Sequence, residues 1–82
     1  MPKLPRDLSG QELIKLLKKY NYTVTRQAGS HIRLTSNHMG FKHDITIPDH
    51  PYLKIGTLNS ILQDLAACLK TDKDSLIKEL FQ

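Results

Sequence analysis

The chain of 82 residues has one cysteine, no tryptophan, three tyrosines and two phenylalanines. The lone Cys68 excludes an internal disulfide and leaves no C-x-x-C pair for a structural zinc site. We expect Cys68 to pack as a small core side chain, because it continues the apolar stripe of a predicted helix. No apolar run is long enough to span a bilayer, and residues 1–7 lack the hydrophobic region of a signal peptide. These absences favour a cytoplasmic protein with no membrane partner.

Chain length and missing motifs restrict the chemistry further. A chain of this size has room for one domain, residues 1–82, which would bury about 60% of the surface that its unfolded form exposes. A deep cofactor cavity is not expected in so small a core. The sequence has no glycine-rich phosphate loop, and Gly29-Ser30 does not begin a G-x-S-x-G elbow. We therefore expect no cofactor.

Basic residues are concentrated in the first half of the chain. Eight lysines and arginines precede Asp44 against two acidic residues, a net charge of +6, whereas the remainder has four lysines against six acidic residues, a net charge of −2. Such an asymmetry favours a polyanionic partner, of which nucleic acid is the commonest. The alternative at this point is an ordinary solvated basic surface.

The central feature of the sequence is a predicted β-hairpin. Residues 22–25 and 32–35 alternate between apolar and polar side chains, as half-buried strands do, and a break containing Gly29 separates them. If Val24 and Leu34 pair on the core face, Ala28, Gly29 and Ser30 form a three-residue loop. Glycine supplies the left-handed conformation that such a loop requires.

This register determines which side chains point away from the core. It pairs Thr25 with Arg33 and Gln27 with His31. Paired residues of antiparallel strands point to the same face of a sheet. His31, Arg33 and Thr35 are therefore expected on the open face.

A third strand is predicted over residues 41–47. Its core face carries Ile45 and Ile47, and its alternating polar residues are expected on the open face with His31. These polar residues are Lys42, Asp44 and Thr46.

Two registers of the third strand are compatible with this pattern. In the first, with residues 37–40 as the loop, Thr46 opposes His31 and Asp44 opposes Arg33. A shift of two residues pairs Asp44 with Thr35 instead. Both registers leave the same side chains on the open face, because side chains alternate with a period of two.

Three helices are predicted around these strands. Ser9 and Glu12 form a capping box at the start of the first helix, and Asn21 ends it. A second helix has Thr57 as its N-cap, and a short third helix has Thr71. Their apolar faces are formed by Leu13, Leu16, Leu17, Tyr20, Leu58, Ile61, Leu62, Leu65, Leu69, Leu76, Ile77 and Leu80.

The order of elements predicts an α+β fold. A three-stranded antiparallel sheet follows the first helix, and two helices follow the sheet. Only one face of the sheet is apolar and needs cover, so the helices are expected on that face alone. The strand residues expected to face them are Val24, Ile32, Leu34, Ile45 and Ile47.

His31 is the strongest candidate for chemistry on the open face. An imidazole titrates near neutrality and can take the proton of an RNA 2′-hydroxyl, so that the alkoxide attacks the adjacent phosphorus. Arg33 and Lys42 would hold the phosphate, and Ser30 or backbone N–H groups would add hydrogen bonds. One alternative is that His31 is only a solvated histidine on a strand. The other is that the four histidines together bind zinc, although the sequence has no H-E-x-x-H spacing.

Four short motifs follow one another along almost the whole chain. They are Leu8-Ser9-Gly10 before the first helix, Arg26-Gln27-Ala28-Gly29-Ser30-His31 at the hairpin, His50-Pro51 after the sheet and Gly56-Thr57-Leu58 at the second helix. In this order they resemble the HicA family of toxins, also described as the YcfA-like family. The Gly-Ser-His element together with Gly-Thr-Leu is more specific than either alone.

The resemblance implies a fold like a double-stranded-RNA-binding domain, with the order α-β-β-β-α and a short C-terminal helix. It implies a metal-independent mRNA interferase, a toxin that cleaves single-stranded mRNA without the ribosome and has its catalytic histidine at His31. It also implies a HicB-type antitoxin that covers the active face. With the charge pattern, it predicts RNA contacts from Arg26, Gly29, Ser30, Arg33 and Lys42.

Two functions from different classes remain. The first is a ribonuclease toxin that uses His31. The second is a non-catalytic RNA-binding module in which Gly-Ser-His only shapes the contact surface. One histidine supplies one proton-transfer group, whereas cleavage of RNA benefits from both a base and an acid, so modest activity is expected.

Overall fold

The computed structural model describes residues 4–81, and its elements follow the predicted order. Helix α1 spans Gly10–Leu17 and continues as a 3₁₀ turn over Lys18–Tyr20. The strands are β1 (Thr23–Ala28), β2 (His31–Ser36) and β3 (His43–Pro48), followed by helices α2 (Ile55–Cys68) and α3 (Lys73–Phe81). The predicted α+β fold is therefore confirmed. Within the described residues, none of the helices is both long and apolar enough to cross a membrane.

The start and end of the first helix agree with the prediction. The Ser9 hydroxyl accepts a hydrogen bond from the Glu12 backbone N–H (3.0 Å), and the Glu12 carboxylate accepts one from the Ser9 N–H (3.1 Å). This reciprocal capping box satisfies two N–H groups that have no partner within the helix. Asn21 has a φ of 65° and ends the 3₁₀ turn in the left-handed region, which asparagine tolerates.

The other two helices begin at different residues from those predicted. Helix α2 begins at Ile55, after an N-cap, Lys54, that provides no side-chain hydrogen bond, so the predicted N-cap at Thr57 is wrong. At α3 the predicted cap at Thr71 is also wrong. The Asp72 carboxylate accepts hydrogen bonds from the backbone N–H (2.9 Å) and hydroxyl (2.7 Å) of Ser75. These bonds favour the charged form and lower the pKa of Asp72.

A two-residue turn joins β1 to β2. Ala28 pairs with His31, so Gly29 and Ser30 alone form the turn and the predicted three-residue loop is wrong. Gly29 has a φ of 59° at the first central position, where two-residue hairpin turns require positive φ. The turn is shorter than predicted because Ala28 belongs to the strand.

A β-bulge in β1 accounts for the changed register. Val24 pairs with Leu34 as predicted, but the register shifts between Val24 and Arg26, which pairs with Arg33. The extra residue is Thr25. The predicted pairs of Thr25 with Arg33 and of Gln27 with His31 are therefore wrong, because a bulge puts two residues of one strand opposite one residue of the other.

Strand β2 lies in the centre of the sheet, and its pairing with β3 follows the second of the two predicted registers. Asp44 pairs with Thr35, and Thr46 pairs with Arg33. Pro48 pairs with His31. The first register, with Thr46 opposite His31, is wrong.

The helices cover one face of the sheet over β2 and β3, and every residue of β1 is exposed. Val24, predicted in the core, is 52% exposed and that prediction is wrong, because β1 is an edge strand and the helices leave this residue uncovered. The other predicted strand residues are buried. The largest fully buried side chains are Tyr22, Leu13, Leu17, Ile32, Leu34, Ile47, Leu58, Leu62, Leu65 and Leu76.

A close approach between α1 and the end of β3 involves Gly10. A Cβ atom at this position would lie 2.1 Å from the carbonyl oxygen of Pro48, which only glycine avoids. The Gly10 N–H donates to the His50 carbonyl (3.0 Å), and the Leu53 N–H donates to the Leu8 carbonyl (2.8 Å). These contacts fix the position of Pro48, the residue that pairs with His31.

Candidate active site

A shallow pocket lies on the open face of the sheet, opposite the helices. Its volume is about 140 Å³, similar to an engineered cavity that holds one benzene molecule. The pocket therefore has room for a phosphate group or a single ring. It is lined by Arg26, Ala28, His31, Arg33 and Thr46.

His31 occupies the first position of β2, directly after the hairpin turn. Its neighbours across the sheet are Ala28 on β1 and Pro48 on β3. Alanine is small, and the imidazole stays exposed at the edge of the pocket. The prediction that His31 and Arg33 lie on the open face is confirmed.

Two arginines meet directly across β1 and β2. Arg26 and Arg33 are register partners, and both line the pocket beside His31. Like charges placed opposite each other on a sheet are destabilising. No acidic side chain forms an ion pair with either guanidinium within residues 4–81. A bound anion would relieve this repulsion, so the pocket is suited to a phosphate.

A comparison with protein families returned a match that covers this pocket. A family model described as the HicA toxin of bacterial toxin-antitoxin systems matches residues 10–66, well over half of the chain. The chain belongs to the HicA toxin family. No curated protein and no solved structure matched the chain. Because HicA toxins belong to toxin–antitoxin systems, family membership implies an antitoxin partner.

The remaining site residues predicted for this HicA family member lie outside the pocket lining. Lys42 precedes β3, four residues from Thr46, or about 13 Å along an extended chain. Gly29 and Ser30 form the turn beside His31, where the Ser30 carbonyl accepts a hydrogen bond from the Asp49 N–H (2.7 Å). Arg26 and Arg33 are therefore the cations that line the pocket together with the imidazole, and Lys42 lies towards the other end of the sheet.

A chain of hydrogen bonds crosses the same open face beyond the pocket. The Thr35 hydroxyl donates to Oδ1 of Asp44 (2.6 Å), and the Thr25 and Thr35 hydroxyls are 2.9 Å apart. The hydrogen bond from Thr35, followed by the nearby charges of Lys42 and Arg33, lowers the pKa of Asp44. Asp44 is therefore a carboxylate at neutral pH.

A second polar cluster, not predicted from the sequence, lies on the helix side of the sheet. The Tyr22 hydroxyl is 2.7 Å from Nδ1 of His43, and Nε2 of His43 is 3.8 Å from Oδ1 of Asp64. Sγ of the partly buried Cys68 is 4.0 Å from the Tyr22 hydroxyl. Burial raises the pKa of Tyr22, and the neighbouring Cys68 thiol raises it further. The alternation of His43 with Ile45 and Ile47 is the sequence signal for this inward position.

The four histidines occupy separate environments. His38 packs edge-on against Tyr20, with ring centroids 5.8 Å apart, and its Nδ1 is 3.3 Å from the Asn21 amide. His50 is exposed in the loop after β3. Among residues 4–81, no three histidine, cysteine, aspartate or glutamate side chains lie close enough together to hold a metal ion.

Proposed function

We propose that this HicA family member is an endoribonuclease that cleaves single-stranded mRNA, with His31 as the general base. The observation that carries the proposal is that the exposed imidazole of His31 lines one small pocket together with Arg26 and Arg33, which lie directly opposite each other on β1 and β2. Imidazole transfers protons near neutrality, and paired guanidiniums bind phosphate with a fixed geometry. The pocket thus combines a base with a phosphate site.

The proposed reaction uses the RNA itself as the nucleophile. His31 accepts the proton of the 2′-hydroxyl, the 2′-oxygen forms a bond to phosphorus, and the bond from phosphorus to the 5′-oxygen breaks. The products are a 2′,3′-cyclic phosphate and a 5′-hydroxyl, whose proton comes from the imidazolium or from water. Arg26 and Arg33 stabilise the additional negative charge that develops on the phosphoryl oxygens in the transition state.

The open position of the pocket favours a single strand as the substrate. The depression is shallow and exposed, and the residues that line it include no phenylalanine, tyrosine or tryptophan on which a base could stack. Binding therefore depends mainly on phosphate contacts from the arginines and from other basic residues of the first half of the chain. A flexible single strand can place its phosphate into such a depression.

The antitoxin partner is proposed to be of the HicB type and to cover this pocket. An acidic surface would complement Arg26 and Arg33 and would accelerate association. Coexpression with the neighbouring reading frame should give a stable complex that does not cleave RNA. If cells that express the chain alone grow normally, and no neighbouring reading frame encodes an inhibitor, the result argues against the toxin role.

The test is cleavage of a labelled RNA by the wild type and His31→Ala. General base catalysis typically contributes about 10²–10⁴-fold, so the variant should lose at least that much activity while its RNA affinity stays close to wild type. Cleavage should persist in EDTA and stop when the scissile 2′-hydroxyl is replaced by hydrogen. His38→Ala is the matched control, since His38 lies outside the pocket, and it should cleave at the wild-type rate.

The opposite results would support other functions. If His31→Ala cleaves as fast as the wild type, the catalytic assignment is wrong. If neither protein cleaves RNA but both bind it, the chain is a non-catalytic RNA-binding module. If EDTA alone stops cleavage, the reaction depends on a metal ion.

A further inference from the structure

A carboxylate lies within the otherwise basic open face of the sheet. Asp44 on β3 is exposed and pairs with Thr35 on the central strand. A negative charge at this point weakens phosphate binding by simple repulsion. On a surface proposed to bind RNA, a carboxylate can instead accept a hydrogen bond from the amino group of a base.

The hydrogen bonds around Asp44 have a definite direction. The single hydroxyl proton of Thr35 is donated to Oδ1 of Asp44 (2.6 Å), so Thr25 must be the donor in its 2.9 Å contact with Thr35. The chain of donors runs from β1 through β2 to β3. It fixes the carboxylate and leaves Oδ2, which receives no hydrogen bond within the described residues, available as an acceptor.

Cations lie on both sides of this carboxylate along the sheet. Arg33 belongs to the pocket, and its register partner Thr46 is two residues from Asp44, about 7 Å along the strand. Lys42 is two residues away in the other direction, and both cations act on Asp44 electrostatically. An RNA strand with phosphates near Arg33 and Lys42 would therefore place a base between them, above Asp44.

We propose that Oδ2 of Asp44 accepts a hydrogen bond from the exocyclic amino group of a base beside the scissile phosphate, so that the protein prefers cytosine to uracil there. This inference rests on the proposed RNA-cleaving function. Aspartate is a natural acceptor for the N4 amino group of cytosine. Uracil presents a carbonyl oxygen at the same position, and two acceptors facing each other repel.

The test compares the binding of two RNAs that differ only in this group. His31→Ala protein, which leaves the RNA intact, is titrated with oligocytidylate and oligouridylate of equal length at fixed salt. We expect about tenfold tighter binding of the cytidine RNA, the size of one hydrogen bond to a charged group. Adding Asp44→Asn should bring the ratio of the two affinities close to one or invert it, because the amide can donate to the uracil oxygen.

Two further variants separate orientation from charge. Thr35→Val keeps the charge of Asp44 but removes the hydrogen bond that fixes it, so the preference for cytidine should fall. Asp7→Asn makes the same charge change outside the sheet. It should strengthen binding of both RNAs slightly and leave their ratio unchanged.

Each other outcome refutes a distinct statement. Equal binding of the two RNAs by the starting protein, or a ratio that Asp44→Asn leaves unchanged, overturns the base contact. The proposed ribonuclease function then stands, and cleavage by the wild type tests it separately. Failure to bind either RNA overturns both.

Discussion

Gly10 gives a direct test of how α1 packs against the end of β3. In Gly10→Ala the added Cβ would lie 2.1 Å from the Pro48 carbonyl oxygen, whereas such contacts are essentially never shorter than 3.0 Å. The helix and strand must therefore separate by about 1 Å, as in an overpacked core, which typically costs 1–3 kcal/mol. The movement also stretches the hydrogen bond from the Gly10 N–H to the His50 carbonyl, worth about 1 kcal/mol.

The two effects predict that Gly10→Ala lowers the free energy of unfolding by about 2–4 kcal/mol. For a domain of this size, thermal unfolding should shift the Tm down by on the order of 10–30 °C. RNA cleavage at a temperature where the variant stays folded should also fall, because Pro48 pairs with His31.

Gly56→Ala is the matched control for this substitution. Gly56 lies in the first turn of α2, and its φ is not positive. Within residues 4–81, no atom other than those of its chain neighbours and its own helix backbone lies within 4 Å of the added Cβ. A glycine to alanine change in such an open helical position stabilises a protein by about 0.4–1 kcal/mol. If Gly10→Ala melts at or above the wild-type temperature, as Gly56→Ala should, the described contact between α1 and Pro48 is wrong.

Three other predictions concern packing, RNA binding and alkaline stability. Leu62→Ala, at a fully buried position of α2, should cost about 2–5 kcal/mol, and an unchanged Tm would contradict the packing of that helix. RNA affinity should fall steeply with salt, by about 0.7 in the log–log slope for each phosphate contact, and salt-independent binding would contradict a phosphate-dominated interface. Burial, with a hydrogen bond to Glu79, raises the pKa of Tyr20 from 10 to about 12, so its contribution to stability is present below pH 10 and is lost as the pH rises through 12. The free energy of unfolding, measured from pH 9 to 12, should therefore fall less in Tyr20→Phe than in the wild type.

Local sequence signals predicted the elements whose causes are themselves local. The Ser9–Glu12 capping box, the end of the first helix at Asn21 and the turn at Gly29 all follow from residues within a few positions of one another. The buried positions of β2 and β3 and most of the helical faces follow from periodicity, although Leu16 is only partly buried and Ile14, which was not predicted, is buried. The fold class could be read from these features, and the structure confirms it.

Features that depend on distant parts of the chain were predicted incorrectly or left open. Val24 has the pattern of a core residue, but burial depends on whether a helix reaches β1, and none covers this side chain. The register of β3 depends on the length of the irregular loop before it, so two registers were compatible with the alternation of apolar and polar side chains. Asp72 and Thr71 are both good caps, and in the structure it is the Asp72 carboxylate that accepts the hydrogen bonds from Ser75.

The candidate site was predicted in outline, with His31 and Arg33 on the open face. The position of Arg26 on this face was not predicted. An unbroken alternation of side chains from Val24 would have pointed Arg26 towards the helices. The bulge reverses that direction, and no sequence pattern in β1 marks it. Lys42 was expected to share a phosphate with Arg33. The even spacing between Lys42 and Thr46 predicts that both side chains lie on the same face, but it does not bring Lys42 close to the pocket.

The bulge also has a consequence for how this surface can change over time. It lets two consecutive residues, Thr25 and Arg26, point to the same face, one towards Thr35 and the other into the pocket. All of β1 is exposed, so the gain or loss of one codon in this strand would exchange the side chains at the proposed RNA site while the residues of β1 itself include no buried side chain. The edge strand is thus a segment in which substrate preference can evolve independently of the stability of the fold.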